Sequence, residues 1–364
     1  MADKNLYIDL NVLQTVPSSN LNRDDTGAPK TALYGSVNRA RVSSQSWKRA
    51  IREAFKQDDI STGVRTKDVV AMLVTALKRL NPALNDEDAM SKADEILIDA
   101  KIKNKNNSKN KNKDKQLDAL LFTSPGQIAK VAQYATDNEK LNDKELKDIW
   151  KHDQSLDLAL FGRMVANNPE LNVDASAQVA HAISTHEVIP EFDYFTALDD
   201  RKPEDTNGAA MLGSIAFNSA TLYRYANLNM NELVKNLNSE NAIKGAVAFI
   251  KDFILSMPTG KQNTFANKTL PSYVMITIRT DTPVNLVSAF EEPVAPNNGY
   301  IKPSIVRFED EYETTLKLVE RPLQNWVLSK QASKVGDNVA NLSELLNKIT
   351  TVLSEVTQNE NIND

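Results

Sequence analysis

Basic side chains are concentrated in residues 20–56 of this 364-residue chain. Eight Lys or Arg residues stand there against three acids, a local net charge of +5 in a chain whose formal net charge is -5. The basic positions are Arg23, Lys30, Arg39, Arg41, Lys48, Arg49, Arg52 and Lys56. Clustered Lys and Arg side chains suit an anion that repeats along a polymer, and the phosphate of a nucleic acid is such an anion. The segment is therefore a candidate nucleic-acid-binding site.

The second half of this segment has the pattern of an amphipathic helix. Trp47, Ile51 and Phe55 recur every fourth residue and predict one apolar stripe. Ser43 and Ser44 precede them as candidate N-caps. A cationic ridge beside the stripe is formed by Lys48, Arg49, Arg52 and Lys56, and Gln45 begins it. The N-terminus of such a helix favours an anion, although a solvated cationic face is equally compatible with the spacing.

A second candidate phosphate contact is the turn that contains Lys261 and Gln262. The turn lacks the upstream glycine and the Ser or Thr of a phosphate-binding P-loop, and it follows a predicted helix rather than a strand. We therefore exclude a P-loop. The turn can still place Lys261 and backbone N–H groups on a phosphate, whereas the sequence alone favours a plain helix C-cap at Gly260.

Adjacent acids, Asp24 and Asp25, are the candidates for metal chemistry. Two carboxylates can hold Mg²⁺ for phosphodiester cleavage, but two-metal chemistry needs further carboxylates, and none can be placed. The chain has no cysteine and three histidines, and His181 and His186 are spaced poorly for a shared metal. We expect these two histidines to make local hydrogen bonds, and we predict no metal, no cofactor and no enzymatic activity.

The overall composition is that of a globular protein, with 41% hydrophobic and 25% charged residues. The N-terminal residues lack the pattern of a signal peptide, and no apolar run is long enough to span a membrane. These features predict a cytoplasmic protein.

Periodicity and turn residues predict the elements around these sites. Helices are predicted at 66–80, 86–100, 126–135, 144–152, 242–257, 308–318 and 342–356, and strands at 6–12, 156–164, 176–188 and 273–279. The strand at 6–12 should have one buried face, and 17–35 should be a loop. Residues 101–115 are of low complexity, and Lys140, Lys144, Lys147 and Lys151 are spaced for one helix face, which we expect to be solvated. Residues 189–213 fit an extended hairpin arm with aromatic residues at its base.

The run LNRDDTGAPKTALYG followed by RARVSSQSWKRAIR resembles the N-terminal part of the CasC-type backbone subunit of the type I-E CRISPR surveillance complex, Cascade. Further blocks resemble the same family in the same order: LALFGRM at 158–164, VAHAISTHEV at 179–188, DYFTALDD at 193–200, LYRYANLN at 222–229 and PTGKQNTF at 258–265. Together they span residues 6 to about 290.

This resemblance implies an α+β fold with an RRM-like (ferredoxin-like) palm. Residues 1–56 and 155–364 would form the palm, 57–154 a helical finger insertion with the low-complexity loop 101–115, and 189–215 a β-hairpin thumb. Several copies would polymerise along the guide RNA, hold its phosphates and present its bases to target DNA, together with other Cascade subunits. A metal-dependent RNase using Asp24 and Asp25 is the alternative, since related subunits of type III complexes cut RNA with a loop Asp.

The resemblance also assigns the RNA-binding residues. The expected set is Arg23, Lys30, Arg41, Ser43, Gln45, Lys48, Arg49, Arg52, Met164, Phe195, Thr196, Lys261 and Gln262. Met164, on a predicted strand, and Phe195-Thr196, at the base of the thumb, match the positions that displace one guide base at regular intervals. From the sequence alone, each of these three would be an ordinary core side chain.

Overall fold

The structure, a computed structural model, describes residues 5–102, 116–117, 119–165, 168–197, 211–296 and 298–361. Most of the low-complexity loop and the tip of the predicted arm lie outside these residues. The chain divides into two compact units. The sheet unit comprises Met1–Ile51, Val179–Asn227 and Val247–Glu355, and the helical unit comprises Arg52–Gln178, Leu228–Ala246 and Val356–Asp364.

The described residues form an α+β fold. The strands are β1 (Tyr7–Ser19), β2 (Thr31–Tyr34), β3 (Val37–Val42), β4 (Val64–Thr66), β5 (Leu121–Thr123), β6 (Ala177–Val179), β7 (Ala182–Ser184), β8 (Glu191–Ala197), β9 (Met211–Asn229), β10 (Tyr273–Arg279), β11 (Gln324–Ser329) and β12 (Asp337–Asn338). The α-helices are α1 (Ser44–Gln57), α2 (Val69–Leu80), α3 (Asp86–Asp99), α4 (Pro125–Asp137), α5 (Asp143–Lys151), α6 (Leu156–Phe161), α7 (Met230–Asn236), α8 (Ser239–Leu255), α9 (Gln262–Phe265), α10 (Ile301–Thr315) and α11 (Leu342–Asn361).

The sheet unit is built on a mostly antiparallel sheet of strand order β12-β11-β10-β1-β9-β7-β3-β2, with β8 paired to the first part of β9. One face carries a core of aromatic and aliphatic side chains that includes Tyr223 of β9, Tyr273 of β10 and Phe308 of α10. The opposite face carries Arg224, whose guanidinium lies over the rings of Trp47 and Phe253. Both faces of the sheet are therefore covered, and this explains why its central strands are buried throughout.

The helical unit has a core of its own, formed mainly by α2–α5. Local signals fix where these helices begin. Asn85 and Asn142 accept backbone hydrogen bonds at the starts of α3 and α5, and Ser124 and Gln127 form a capping box ahead of Pro125. These caps are local in sequence, so the predicted helices in this region are confirmed to within a few residues.

Three predictions about strands and loops were wrong. Residues 156–164 contain α6, which ends at Gly162 in a left-handed conformation with φ of 73°, instead of a strand. The strand at 6–12 does not have a solvent face, since Asp9 and Asn11 are only 2% and 1% exposed. Residues 17–35 are not one loop, because β1 continues to Ser19 and β2 follows.

Three further predictions needed smaller corrections. Residues 176–188 form two short strands, β6 and β7, instead of one. The helix predicted at 308–318 begins earlier, at Ile301. Lys147 does not belong to a solvated face, because it is 8% exposed and forms ion pairs with Asp143 and Glu170. The strand at 273–279 is confirmed.

Within the described part of the chain, no helix is long and apolar enough to cross a membrane.

Candidate nucleic-acid interface

The N-terminus of α1 is the first part of the site. Ser43 caps it, because its Oγ accepts from the N–H of Ser46 at 3.4 Å. The N–H of Ser43 donates to Oδ1 of Asn22 at 2.9 Å, which ties the preceding loop to the helix start. Gln45 is exposed on the first turn, and that turn contains no acid. The positive end of the helix dipole is therefore not compensated by a carboxylate of its own first turn.

The loop before β2 adds two cations, Arg23 and Lys30, to this region. The N–H of Lys30 donates to the carbonyl of Asn22 at 2.8 Å, and the N–H of Arg41 donates to the carbonyl of Lys30 at 2.9 Å. Asn22, Lys30 and Arg41 line one cleft together with Asn218 of β9. Arg23 is exposed on the same loop, where it bridges to Pro29. The loop therefore presents cations from a backbone fixed by hydrogen bonds.

Arg41 is held in a defined orientation. Its Nε donates to the carbonyl of Thr31 at 3.0 Å, and its Nη1 lies 3.1 Å from Nδ1 of His181. Burial lowers the pKa of His181, and the charges of Arg41 and Lys30 lower it further, so the neutral ring accepts from Arg41. The prediction of local hydrogen bonds is confirmed for His186, whose Nδ1 lies 2.7 Å from the carbonyl oxygen of Glu187, whereas the partner of His181 is Arg41, which is distant in sequence. What the sequence did not show is that His181 belongs to this site.

The turn with Lys261 packs directly on the same loop. A Cβ on Gly260 would lie 2.3 Å from the carbonyl oxygen of Leu21 and 2.7 Å from that of Asn20, so only glycine permits this approach. Lys261 adopts φ of 51° and Gln262 begins α9, and both side chains are half-buried. The turn is therefore more than a helix end, because it is fitted against the loop that carries Arg23 and Lys30.

The base of the hairpin meets the loop as well. Nδ2 of Asn20 donates to the carbonyls of Gly27 and Ala216, each at 2.9 Å. The rings of Phe217 on β9 and Phe265 on α9 lie 5.6 Å apart. One buried asparagine therefore connects the basic loop with the strand that continues into the hairpin.

The hairpin itself places Phe195 and Thr196 on opposite faces. Phe195 is directly opposite Gly213, and Thr196 is directly opposite Leu212. Successive side chains of a strand alternate between faces, so these two residues cannot form one contact surface. Tyr194 lies on the face of Thr196 and is 66% exposed, whereas Phe195 is half-buried over its partner strand. The described residues confirm an extended hairpin arm, and its tip lies outside them.

Met164 and Arg52 belong to the helical unit. Met164 is 84% exposed just beyond α6, where it is neither the core side chain that the sequence alone indicates nor part of a strand. Arg52 donates through Nε to the fully buried carboxylate of Asp157 at 2.7 Å and through Nη2 to the carbonyl of Gly63 at 2.9 Å. Its guanidinium also lies over the ring of Phe122. Arg52 therefore stabilises the helical unit, and its assignment as a phosphate ligand is not supported.

Besides Arg41, which is bonded to the carbonyl of Thr31 and to His181, other basic side chains of 20–56 also have partners within the protein. Besides Arg52, Arg39 is fully buried and donates to the carbonyls of Ser184 and Phe290 at 3.0 and 2.8 Å. Lys56 forms an exposed ion pair with Glu53 at 3.0 Å. On the ridge of α1, Lys48 is half-buried and Arg49 is exposed. Helical spacing marked the ridge but did not distinguish surface cations from those that support the fold.

Asp24 has a structural role in the loop. Its Oδ1 accepts from the N–H and hydroxyl of Thr26 at 2.9 and 2.7 Å and from the N–H of Ala28 at 3.1 Å. The hydrogen bond from the Thr26 side chain is the largest cause that lowers the pKa of Asp24. Across the residues that the structure describes, no group of three His, Asp or Glu side chains is placed to hold a metal ion.

The whole chain resembles subunits of known complexes. It aligns over 95% of its length with 100% of a chain in a solved structure described as a "CRISPR RNA-guided surveillance complex, pre-nicking", at 28% identity and a TM-score of 0.83. A chain from a second structure, described as a "CRISPR RNA-guided surveillance complex", aligns over 95% of this chain and 99% of its own length, with 23% identity and a TM-score of 0.73, and supports the shared fold. No curated protein sequence matches this chain. The model of the CT1975-like protein family matches residues 8–353, and the chain therefore belongs to the CT1975-like family.

Proposed function

We propose that this chain is the RNA-binding backbone subunit of a type I-E CRISPR surveillance complex, Cascade. Copies would assemble head-to-tail along the guide RNA, a heterologous contact that extends as a filament until other Cascade subunits end it. The full-length similarity to a chain of an RNA-guided surveillance complex supports this proposal. In this assignment the sheet unit supplies an RRM-like palm and a hairpin thumb, the helical unit supplies the fingers, and the assembly works in the cytoplasm.

One observation carries the proposal: the basic segment 20–56 and the turn at Gly260, which is distant in sequence, meet within the sheet unit. The N–H of Ser43, at the start of α1, donates to the side chain of Asn22, and the backbone of Lys30 is hydrogen-bonded to Asn22 and to Arg41. Gly260 packs against the carbonyl oxygen of Leu21 in the same loop. Backbone phosphates carry no sequence information, so a grip on them suits a protein that must accept any guide. Base pairing then selects the target DNA.

The proposed contacts follow from this geometry. We assign phosphate contacts to Arg23, Lys30, Arg41, Ser43, Gln45, Lys48, Arg49, Lys261 and Gln262. We assign Phe195 and Met164 to base displacement, with Thr196 contacting the guide from the other hairpin face. Arg52 is left out, because Asp157 occupies its guanidinium. The proposed subunit is not a nuclease, since Asp24 is used to shape its loop.

The salt dependence of RNA binding tests the proposed phosphate contacts, which we call the phosphate grip. Each phosphate contact to a single strand contributes about 0.7 to the slope of log affinity against log salt. The double variant Arg41→Ala/Lys261→Ala should therefore bind more weakly and lower the slope by about 1.4. Lys317→Ala, which removes an exposed cation next to the C-terminal end of α10, is the matched control and should leave both quantities unchanged. Wild-type affinity and slope in the double variant would refute the phosphate grip.

Assembly is tested separately. Native mass spectrometry of the chain with synthetic RNAs of increasing length should show protein copies added in steps as the RNA lengthens. A single copy on every length would contradict the backbone role, whatever the affinity.

A further inference from the structure

Gly213 lies directly under the aromatic ring that we assign to base displacement. It is the cross-strand partner of Phe195 in the antiparallel pair of β8 and β9. A Cβ added to Gly213 would lie 2.3 Å from Cζ of Phe195, 2.7 Å from Cε1 and 3.0 Å from Cε2. Real Cβ atoms do not approach a ring so closely, so the ring occupies the volume that any other residue would fill with its side chain.

The ring therefore lies across the strand instead of standing up from it. Side chains in a strand ordinarily project from the sheet, and a directly opposite residue of normal size would support Phe195 in that upright position. Glycine removes this support and exposes backbone that an aromatic ring can cover. The half-buried state of Phe195 agrees with such a ring, while Tyr194 on the other face is 66% exposed.

We propose that Gly213 is a positioning residue, which fixes the Phe195 ring flat across the hairpin so that the ring presents its edge and outer face to the guide RNA. This inference rests on the proposed function, and it adds the residue that sets the geometry of the wedge. An apolar wedge separates two stacked bases by inserting between them, so we expect the orientation of the Phe195 ring to decide how well it inserts. Phe195 and Gly213 therefore act as a pair.

The variant Gly213→Ala isolates this role from stability. The atoms that its new Cβ would meet are at the far end of a side chain, so the ring can rotate away while the strands stay paired. Ser214→Ala is the matched control, because Ser214 is the next residue of β9, is exposed and lies opposite Tyr194 on the other face.

The experiment uses the full chain assembled on guide RNA, with its partner subunits where assembly needs them. A 2-aminopurine is placed at each successive position of the guide, and its fluorescence, which rises on unstacking, is divided by the amount of protein bound. Wild type and Ser214→Ala should give the same periodic maxima. In Gly213→Ala and in Phe195→Ala the maxima should fall to the level of the positions between them. The double variant Phe195→Ala/Gly213→Ala should match Phe195→Ala alone.

Each other result has a distinct meaning. Maxima that persist in Gly213→Ala but fall in Phe195→Ala overturn the positioning role and leave the proposed function intact. Maxima that persist in Phe195→Ala overturn both the wedge and its positioning residue. A double variant whose fluorescence differs from that of Phe195→Ala shows that Gly213 acts other than through Phe195, which also overturns the inference. Absence of maxima in wild type refutes base displacement itself.

Discussion

Arg52 and Arg49 lie on the same helix, and their substitution should have opposite consequences. The structure assigns Arg52 to the fold, because its guanidinium pairs with an aspartate that is fully buried. Arg49 is exposed and is assigned to phosphate. The perturbation is Arg52→Met, which keeps an apolar stem over the ring of Phe122 and removes the charge.

The stability that Arg52→Met loses depends on the hydrogen bonds that Asp157 keeps. Breaking a buried pair by removing one partner costs about 3–5 kcal/mol, because the other charge is left uncompensated. Asp157 still accepts from the N–H of Gly63 at 2.8 Å and the hydroxyl of Ser155 at 2.7 Å. These two bonds place the expected loss at the lower end, about 3 kcal/mol. Arg52→Met/Asp157→Asn should recover much of it, since no buried charge then remains.

The assay must report on the helical unit alone, because a chain of two units need not unfold in one step. Hydrogen exchange of the peptides that cover α6 and β4 gives the local free energy of opening. RNA binding is measured in parallel as a function of salt. Arg49→Met should lower the salt slope by about 0.7 and leave exchange in α6 unchanged. Arg52→Met should accelerate exchange in α6 and leave the slope unchanged.

The reverse pattern would contradict the assignment of Arg52 to the fold. If Arg52→Met lowers the salt slope as Arg49→Met does while exchange in α6 keeps its wild-type rate, Arg52 leaves Asp157 in solution and binds phosphate. The spacing along α1 would then be a better guide to function than the ion pair.

Three further predictions concern the sheet unit. Burial raises the pKa of Asp9 from 3.8 to about 6, so the folded state binds a proton more tightly than the unfolded state, and about 3 kcal/mol of stability is lost as the pH rises through this range. Asp9→Asn should remove this pH dependence. The free energy of opening, measured by hydrogen exchange in β1, should therefore rise in the variant relative to wild type by a similar amount between pH 4 and pH 7. A difference between variant and wild type that does not change with pH would contradict the prediction. Gly260→Ala should displace the turn from the carbonyl of Leu21 and weaken RNA binding with a reduced salt slope, as Lys261→Ala does, and wild-type binding would show that the turn can shift without loss. Bound RNA should remain intact with Mg²⁺ in wild type and in Asp24→Ala alike, whereas cleavage that Asp24→Ala abolishes would establish a nuclease.

Local signals account for the parts of the fold that the sequence predicted. Ser43, which the sequence identified as a candidate N-cap, accepts a backbone hydrogen bond from the first turn of α1, and the structure shows Asn85, Ser124 and Asn142 doing the same for their helices. The stripe of α1 was equally clear, since Trp47 is 1% exposed. Spacing and caps depend on a few adjacent residues, so one sequence suffices to find them.

The error at 156–164 shows where periodicity fails. The run from Leu158 to Leu160 is apolar at every position, and such a short run fits a buried strand as well as a buried helix. The deciding residues flank it. Ser155 stands at the N-cap position of α6, and Gly162 ends the helix with φ of 73°. A serine before and a glycine after an apolar run favour a helix, and this signal was present in the sequence.

The sequence predicted the separate segments of the site but not the contacts between them. The basic character of 20–56 and the turn at Lys261 were each visible, but the contact of Gly260 with Leu21 joins residues more than 200 positions apart in the chain. No local pattern encodes such a contact. The same applies to His181, whose part in orienting Arg41 depends on the pairing of β3 with β7.

Within the sheet unit, one strand, β9, contacts several parts of the proposed RNA site. Its first residues pair with β8 and put Gly213 under Phe195. A few residues on, the carbonyl of Ala216 accepts from Asn20, which fixes the basic loop. Further along, the guanidinium of Arg224 lies 3.9 Å from the centroid of the Trp47 ring, and although burial lowers its pKa to about 9, it keeps its charge at neutral pH and the cation–π contact with it. β9 therefore runs from the hairpin, past the basic loop, to the packing site of α1. We expect these contacts to keep the proposed wedge and the proposed phosphate contacts at a fixed spacing, which the displacement of bases at regular intervals requires.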